Sequence, residues 1–431
     1  MTQHYVTAYR TFAGNGAGRA PAWLRDLRER GIARFGELGF PTTKHEEWRF
    51  TNVAPIAQTE FRLAGSSAIR LQPSAVEPFL LGSANQQCLV FVNGRFSAEL
   101  SRVSAWPAGV RVGSLAEAVA ADPGLIERHL GRQTADEAFA ALNTAFLADG
   151  AYVHVSAGAQ VDDPVQLLFL AVPGGEPLVT HPRTLVVVDR GARVAVVETY
   201  AAAAEGVYWT NAVTELVVED GARVDWHRVQ RESERAYHTA ASHSRQGRDS
   251  VVHLHAVALG GAIARHDIRT VLEGSGGSAV LNGLYLPRGE QHIDHHTWID
   301  HAAPHCETHE YFNGVLDGRA RSVFSGRIIV RPGAQRTDSK QTNNNLLLSS
   351  DAHADSQPQL EIYADDVKCT HGSTTGPLDD KALFYLQSRG IGADLARRLL
   401  TYGFAAEILD RMEVRPLRER LDALVRERAG V

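Results

Sequence analysis

A short phrase, Gly-Ala-x-Val, recurs in the middle of the chain and constrains its fold more than any other feature. It stands at residues 158–161, 191–194 and 221–224, at intervals of 33 and 30 residues, and the later copies extend to VVVDRGARV and LVVEDGARV. Each copy joins valine-rich runs through a turn that contains glycine. A strand–turn–strand unit repeated at this interval predicts the stacked coils of a β-solenoid. A β-sandwich, in which hairpins with glycine turns also recur, is the alternative.

The residue pattern divides the chain into three zones. Residues 1–150 predict an α-rich N-terminal domain with a small β element, because PAWLRDLRERGIARFGEL has helical spacing and CLVFVNGRF is β-like. Residues 151–376 carry the strand runs and predict the solenoid core. Residues 377–431 return to helical spacing, with Gly390 and Gly403 as expected helix ends. Since a solenoid exposes backbone groups at both ends, we expect the helical zones to cap it.

Composition limits the kinds of partner. The net charge of -6 gives no long-range attraction for nucleic acid or an anionic membrane, and no run approaches the roughly 20 apolar residues that a membrane span requires. The three cysteines are far apart, which argues against a secreted disulfide scaffold. The first twenty residues lack the apolar core of a signal peptide. We therefore expect a cytoplasmic protein whose partners are proteins, small ligands or metals.

The segment QHIDHHTWIDHAAPHCETHE is the richest in histidine, with His292, His295, His296, His301, His305 and His309. Neutral imidazole is the commonest metal ligand, so a metal-dependent enzyme on a β-scaffold is one interpretation. Such a site needs three or four convergent ligands, and this spacing singles out no three. His295 and His296 are adjacent and should point to opposite faces of a strand. The other interpretation is that these histidines are hydrogen-bonded within solenoid turns.

Cys369 and His371 form a C-x-H pair on an extended segment that runs into a helix, within QLEIYADDVKCTHGSTTGPLDDKALFYLQSRGI. Residues i and i+2 of a strand share a face, so both side chains can approach one metal. One pair cannot close a cluster site, which takes four protein ligands, and further ligands would come from another subunit. A buried cysteine beside a hydrogen-bonded histidine is the structural alternative. The chain has no P-loop, G-x-G-x-x-G, H-E-x-x-H, G-x-S-x-G or paired C-x-x-C motif, so a self-contained enzyme lacks its usual signatures.

The segment YADDVKCTHGSTTGPLDDKALFYLQSRGI resembles the C-terminal signature of the SufB/SufD family of iron–sulfur cluster assembly proteins. The likeness extends upstream through HIDHHTWIDHAAPHCETHEYFNGVLDGRARSVFSGRIIVRPGAQRTDSKQTNNNLLLS, and PTTKHEEWRFTNV resembles a segment near the start of family members. Within the family the chain is similar to SufD members. KCTHG followed by STTG is the SufD form, and SSDAHADSQPQLEI lacks the cysteine that SufB members carry there. The length of 431 residues also suits SufD.

The resemblance implies a right-handed parallel β-helix core flanked by N-terminal and C-terminal helical domains, in a non-enzymatic scaffold. It implies a heterodimer with SufB through the β-helix, and the ATPase SufC docked on the C-terminal helices, together a SufBCD complex. His371 would face the SufB scaffold cysteine, with Cys369 as an auxiliary ligand or sulfur acceptor, so that both subunits hold iron and a nascent cluster transiently. Whether a reduced flavin joins the complex is left open. The expected ATPase-docking set is apolar: Phe384, Leu386, Ile391, Leu399 and Phe404.

Two other functions stay open from the sequence. A stand-alone metal-dependent enzyme would use the histidines between residues 292 and 309 and would bind an ion without partners. A purely structural partner subunit would have no ligand of its own, and His371 would be dispensable. The apolar stripe of the last helix (Leu417, Leu421, Leu424 and Val425) fits either a domain core or a docking surface.

Overall fold

The computed structural model describes residues 2–14, 20–65, 71–82, 87–132 and 137–431. Its core is a β-solenoid of about eight turns. Successive core strands alternate between two sheets, and each pairs in parallel with the strand two positions along the chain. The predicted solenoid is therefore confirmed, and the sandwich alternative is wrong because hairpin neighbours would pair antiparallel.

Sheet 1 contains β1 (Arg62–Leu63), β4 (Val110–Ser114), β5 (Gly150–Val155), β7 (Leu178–Thr180), β8 (Arg183–Val188), β10 (Tyr208–Val218), β12 (Tyr237–Gln246), β14 (Ile263–Leu272), β16 (His292–His301), β18 (Arg321–Val330) and β20 (His353–Ile362). Sheet 2 contains β2 (Cys88–Val92), β3 (Arg95–Phe96), β6 (Val165–Ala171), β9 (Arg193–Ala202), β11 (Arg223–Arg231), β13 (Val251–Ala258), β15 (Ser278–Tyr285), β17 (Glu307–Leu316), β19 (Asp338–Leu347) and β21 (Lys368–Gly376).

Helices flank the solenoid on both sides in sequence. The N-terminal helices are α1 (Thr2–Gly14), α2 (Ala22–Leu38), α3 (Ala54–Gln58), α4 (Leu115–Ala121), α5 (Pro123–His129) and α6 (Ala138–Ala145). Short 3₁₀ turns lie at Glu46–Trp48, Pro73–Ala75 and Glu77–Phe79. The C-terminal helices are α7 (Asp380–Ser388), α8 (Ala393–Leu409) and α9 (Arg415–Ala429). None of the described helices is long and apolar enough to cross a membrane. Domain limits at residues 150 and 376 stay a prediction.

One corner of the solenoid is a column of residues with left-handed backbone. Its first members are Gly158, Gly191 and Gly221, the glycines of the repeated phrase, with φ of 73°, 65° and 65°. Glycine suits this conformation because it has no Cβ. Gly191 donates its N–H to the carbonyl of Asp220 at 3.0 Å, which ties one coil to the next. The same conformation and hydrogen bond recur in later coils at Asp249, Gly276, His305 and Arg336.

The N-terminal end of the solenoid is closed by antiparallel strands. β4 pairs with β5 on sheet 1, while the β2–β3 hairpin adds β2 to β6 on sheet 2. Helices α1, α2 and α6 pack over sheet 1 around Trp209, which is fully buried and meets the rings of Tyr5, Phe61 and Phe139. At this end the two sheets finish in the short strands β4 and β3, and the helices pack over the outer face of sheet 1.

The C-terminal helices pack against the outer face of sheet 2. Leu417, Leu421 and Val425 are buried there with outward residues of β11, β13 and β15, so the apolar stripe of the last helix is domain core. The predicted helix end at Gly403 is wrong. α8 runs through this residue because Ala405, on the turn that follows, is buried against the solenoid, and this packing outweighs the helix penalty of glycine, about 1 kcal/mol.

The expectation that helices cap both ends of the solenoid is wrong at the C-terminal end. Since the C-terminal helices lie beside sheet 2, they leave β20 and β21 as the edge strands of the two sheets. Most residues of β21 are exposed. The interior of the solenoid therefore opens at its last coil.

Candidate functional site

Both candidate ligands lie on β21, in the last coil. On β19, alternate residues from Ser339 to Asn345 are buried in the solenoid interior. Cys369 and His371 are in register with Ser339 and Gln341, so they occupy the inward face and share it, as their spacing predicts. In the part of the chain that the structure describes, no further coil covers them. The C-x-H pair thus faces the open end of the solenoid.

The thiol of Cys369 is half-buried and packs against the solenoid core. Burial, together with the carboxylate of Asp338, raises the pKa of this thiol, which favours its protonated form. The next coil inward presents Ser339, whose hydroxyl lies 2.7 Å from the hydroxyl of Thr308. Thr308 in turn lies 2.9 Å from Nε2 of His301. A ladder of interior polar side chains therefore ends at Cys369.

The imidazole of His371 is exposed at the open end. No aspartate, glutamate, histidine or cysteine among the described residues joins Cys369 and His371 in a group close enough to hold a metal ion. A cluster site takes about four protein ligands. The pair is therefore at most part of a site, and the remaining ligands would have to come from elsewhere.

The histidines between residues 292 and 309 do not converge. His295 and His301 point into the solenoid, where burial lowers the pKa of each to about 4 and keeps both neutral. His296 points to the opposite face of β16, so the predicted opposition of His295 and His296 is confirmed. His305 occupies a left-handed corner, and His309 pairs with a neighbouring glutamate at 2.9 Å on the exterior. The three-ligand site of the enzyme hypothesis is not formed by these residues.

The N-terminal segment packs against the outward face of β16, which carries His296. His296 forms an ion pair with Asp294 at 3.1 Å, and this carboxylate raises the pKa of His296 to about 9 against the opposing effect of burial. Arg265 donates to Asp294 at 2.9 Å and lies 3.6 Å from the centre of the Trp48 ring. The hydroxyl of Thr51 donates to the same aspartate. Two segments that the sequence singled out separately, PTTKHEEWRFTNV and HIDHH, therefore pack against each other.

A group of Asp225, His253 and Glu413 is close enough to hold a metal ion, and it is the one such group among the described residues. Arg223, however, donates to both oxygens of Glu413 at 2.7 and 2.8 Å, and it also pairs with Asp225 at 3.3 Å. A second guanidinium, that of Arg193, lies 3.6 Å from Glu413. Because two cations already balance the carboxylates, this group is an ion-pair network that ties the loop before α9 to sheet 2.

The predicted docking residues lie on α7, on α8 and, for Ile391, in the connection between these helices. Phe384 is 72% exposed, and its neighbour Tyr385 is 57% exposed. Leu386, Ile391 and Leu399 are partly exposed. Phe404 differs, because it packs against the solenoid and its carbonyl accepts a hydrogen bond from Asn313 at 3.0 Å.

Sequence reasoning missed the polar residues that stand behind the candidate pair. Glu310 and Gln341 are buried inside sheet 2, on the same face as His371. Their place behind His371 can be recognised only when the register of three successive coils is known. Neither residue belongs to a recognisable motif.

Comparisons with known proteins agree along most of the chain. The family model described as "SUF system FeS cluster assembly, SufBD core domain" matches residues 171–404. The model described as "SufBD protein N-terminal region" matches residues 1–167. Together these matches cover the helices over Trp209, the solenoid and most of α8.

Individual relatives give the same picture. The chain is 34% identical to an iron–sulfur cluster assembly SufBD family protein of Synechocystis sp., over 94% of this chain and 91% of that protein. It is 30% identical to the iron–sulfur cluster assembly protein SufD of Escherichia coli, over 97% and 95% of the two chains. It is 26% identical to SufD of Bacillus subtilis, over 94% of each chain.

Proposed function

The chain belongs to the SufB/SufD family of iron–sulfur cluster assembly proteins, as a SufD member, and from this premise we propose that it is the SufD-like scaffold subunit of a SufBCD complex. In this proposal it pairs with SufB to form the site at which a nascent cluster assembles. The observation that carries the proposal is the position of Cys369 and His371, which face inward on the last, uncovered coil. A pair of ligands at an open end suits a site that a second subunit completes.

We propose that SufB joins this chain through β20 and β21. Ten residues of β20 and nine of β21 carry an unpaired backbone edge. Proteins rarely leave strands of this length uncovered, because their free N–H and C=O groups recruit other strands. Two apolar side chains at the end of β20, Ile362 and Tyr363, are 41% and 61% exposed, which adds apolar area to the same surface. A partner solenoid added here would cover Cys369 and His371.

We propose that the ATPase SufC docks on α7 and α8. Phe384, Leu386, Ile391 and Leu399 would supply the contact, with Phe404 anchoring α8 to the solenoid behind it. α7 begins at Asp380, four residues after β21 ends at Gly376. Movement of α7 when two ATPase subunits close on ATP would therefore pull on the strand that carries the ligands. Opening of the interface would admit iron and sulfur.

Iron, sulfide and the cluster are cargo in this proposal. The imidazole of His371 would supply a nitrogen ligand, and Cys369 would supply a thiolate once iron displaces the proton that burial favours. No flavin on this chain is required. The location proposed for the complex is the cytoplasm, in keeping with three cysteines that are all unpaired.

The test is His371→Ala in a complex co-expressed with SufB and SufC. We expect the three proteins to co-purify while iron and acid-labile sulfide per complex fall to background after anaerobic reconstitution. His353→Ala is the matched control, because His353 is an exposed histidine on the neighbouring edge strand that points outward and pairs with Asp355. Full cluster content in His371→Ala would leave a purely structural subunit as the better description.

The alternative of a stand-alone metal-dependent enzyme makes a different prediction. It requires the purified single chain to bind one ion tightly through the histidines between residues 292 and 309. Four of those side chains, His292, His296, His301 and His309, are already engaged with Thr51, Asp294, Thr308 and Glu307 respectively. Metal analysis of the single chain distinguishes the two, and a stoichiometric ion retained through a chelator wash would favour the enzyme.

A further inference from the structure

A second polar ladder inside sheet 2 ends at His371. Glu310 on β17 is in register with Gln341 on β19, and Gln341 is in register with His371 on β21. In-register residues on neighbouring parallel strands lie about 4.8 Å apart and project from the same face. Glu310 and Gln341 are 2% and 1% exposed, whereas His371 is open to solvent. The ladder therefore connects a buried carboxyl group to the proposed iron ligand.

The inner half of this ladder is fixed by two contacts. Nε2 of Gln341 donates a hydrogen bond to Oε2 of Glu310. The amide also reaches across the interior to Gly326 on sheet 1, where an added Cβ would lie 2.1 Å from Nε2 and 2.9 Å from Oε1. A glycine at this position leaves the space that the amide fills. Gln341 is thus held by an acceptor behind it and by a tight fit opposite it.

Two atoms of this arrangement have no hydrogen-bond partner among the described residues, Oε1 of Gln341 and Oε1 of Glu310. Oε1 of Gln341 is buried and accepts no hydrogen bond from any residue that the structure describes. Leaving a buried acceptor unpaired is destabilising. The next side chain along the ladder is His371, whose ring N–H is a donor. An acceptor kept unpaired beside a proposed metal ligand points to a hydrogen bond that forms when the site is assembled.

We propose that Gln341, held by Glu310, is a positioning residue for His371: its Oε1 accepts the imidazole N–H and leaves the other ring nitrogen free to bind iron. This inference rests on the proposed function of His371 as a ligand. Metal-binding histidines generally donate their second nitrogen to a protein acceptor, which fixes the tautomer and the ring orientation. Here the acceptor would be an amide that a carboxyl group holds in turn.

The ladder also carries a charge that changes near neutral pH. Burial raises the pKa of Glu310 from 4.5 to about 7. Leu281 and Gln341 on the neighbouring strands and Thr297 on sheet 1 face this carboxyl group, and none of them is charged or titratable. When Glu310 ionises, its charge polarises the amide of Gln341 and makes Oε1 a stronger acceptor. Iron binding should therefore strengthen through this pH range.

The test uses the co-expressed complex and measures Fe(II) affinity and cluster content between pH 6 and 8.5. Gln341→Leu removes the acceptor with little change in volume, and we expect iron affinity to fall by about 10–100-fold. Glu310→Gln keeps a polar group but no titratable charge, and we expect the rise in affinity near pH 7 to disappear. Glu307→Gln is the control, because Glu307 lies on the same strand but is exposed and outward.

A second measurement protects the test against misfolding. Co-purification of SufB and SufC with each variant shows whether the complex has assembled. We expect both variants to assemble like the unmodified chain. If Gln341→Leu does not assemble, the Glu310→Gln result decides.

The outcomes separate this inference from the proposed function. Should His371→Ala abolish clusters while Gln341→Leu and Glu310→Gln keep wild-type iron affinity and pH dependence, the positioning role is refuted and the proposed function stands. Should His371→Ala retain clusters, both are refuted.

Discussion

Glu310→Gln should change how the stability of the isolated chain depends on pH, and the size of the effect follows from burial alone. The carboxyl group is 2% exposed, with one oxygen unpaired, and its pKa rises from 4.5 to about 7. A shift of this size corresponds to about 3 kcal/mol. Between these two pH values the folded chain keeps a proton that the unfolded chain has released. Stability is therefore lost as pH rises through this window, and it stays lower above pH 7.

The assay compares thermal unfolding of Glu310→Gln and the unmodified chain from pH 4.5 to 8.5. Taking the difference in the free energy of unfolding between the two chains cancels the contribution of every other titrating group. One of these is His301, whose lowered pKa acts in the opposite sense and destabilises the fold as pH falls below 6.5. Across this pH window, we expect the free energy of unfolding of the variant to rise by about 3 kcal/mol relative to that of the unmodified chain. For 431 residues unfolding together, this corresponds to about 3 °C in Tm.

The control is Glu307→Gln, because this side chain is 59% exposed and so lacks the burial that produces the effect at Glu310. If the difference for Glu310→Gln does not depend on pH, the pKa of Glu310 in the folded chain is close to its ordinary value. The charge-dependent part of the ladder to His371 would then be refuted, although the hydrogen-bond geometry would remain.

Three further substitutions test the packing that holds the last coils and the N-terminal helices in place. Trp209→Ala should cost about 3–5 kcal/mol and expose α1 and α2 to limited proteolysis, and unchanged protection would contradict its central position. Arg265→Met removes one of the two cations that balance the buried Asp294, the other being His296, and should cost about 3 kcal/mol or more in urea unfolding, unless the N-terminal segment is not docked. Gly283→Ala places a Cβ 2.0 Å from the ring of Phe312 and should lower stability by about 1–3 kcal/mol. An unchanged Tm would show that the ring can move.

The solenoid was predictable because its corner demands a particular backbone conformation. Gly191 and Gly221 adopt positive φ, and glycine marks such positions in a sequence. The same corner at Asp249 and His305 has no glycine, so the repeated phrase disappears although the structure continues. At these positions the backbone hydrogen bond to the next coil, and not an intrinsic preference of the residue, stabilises the left-handed conformation. The phrase alone could not give the number of coils.

The candidate pair was predictable in part. Strand alternation placed Cys369 and His371 on one face, and it placed His295 and His296 on opposite faces. Alternation does not tell which face is inward, because a strand in the last coil has no buried face of its own. A second carboxylate beside His296 also lay outside any local pattern, since Glu47, 3.8 Å away, is far from it in sequence.

The position of the pair explains why it cannot act alone. In every earlier coil an inward side chain is sealed by the coil that follows, as Ser339 is by Cys369 and Gln341 is by His371. On β21 no strand of the described residues supplies this layer, so the polar ladders through Ser339 and Gln341 stop at a solvent-exposed step. Whatever strand pairs with the free edge of β21 also supplies the next step of both ladders. In the proposed complex, partner binding and completion of the site would therefore occur at one surface, and substitutions on the inward face, such as His371→Ala, would separate them because they leave the backbone edge intact.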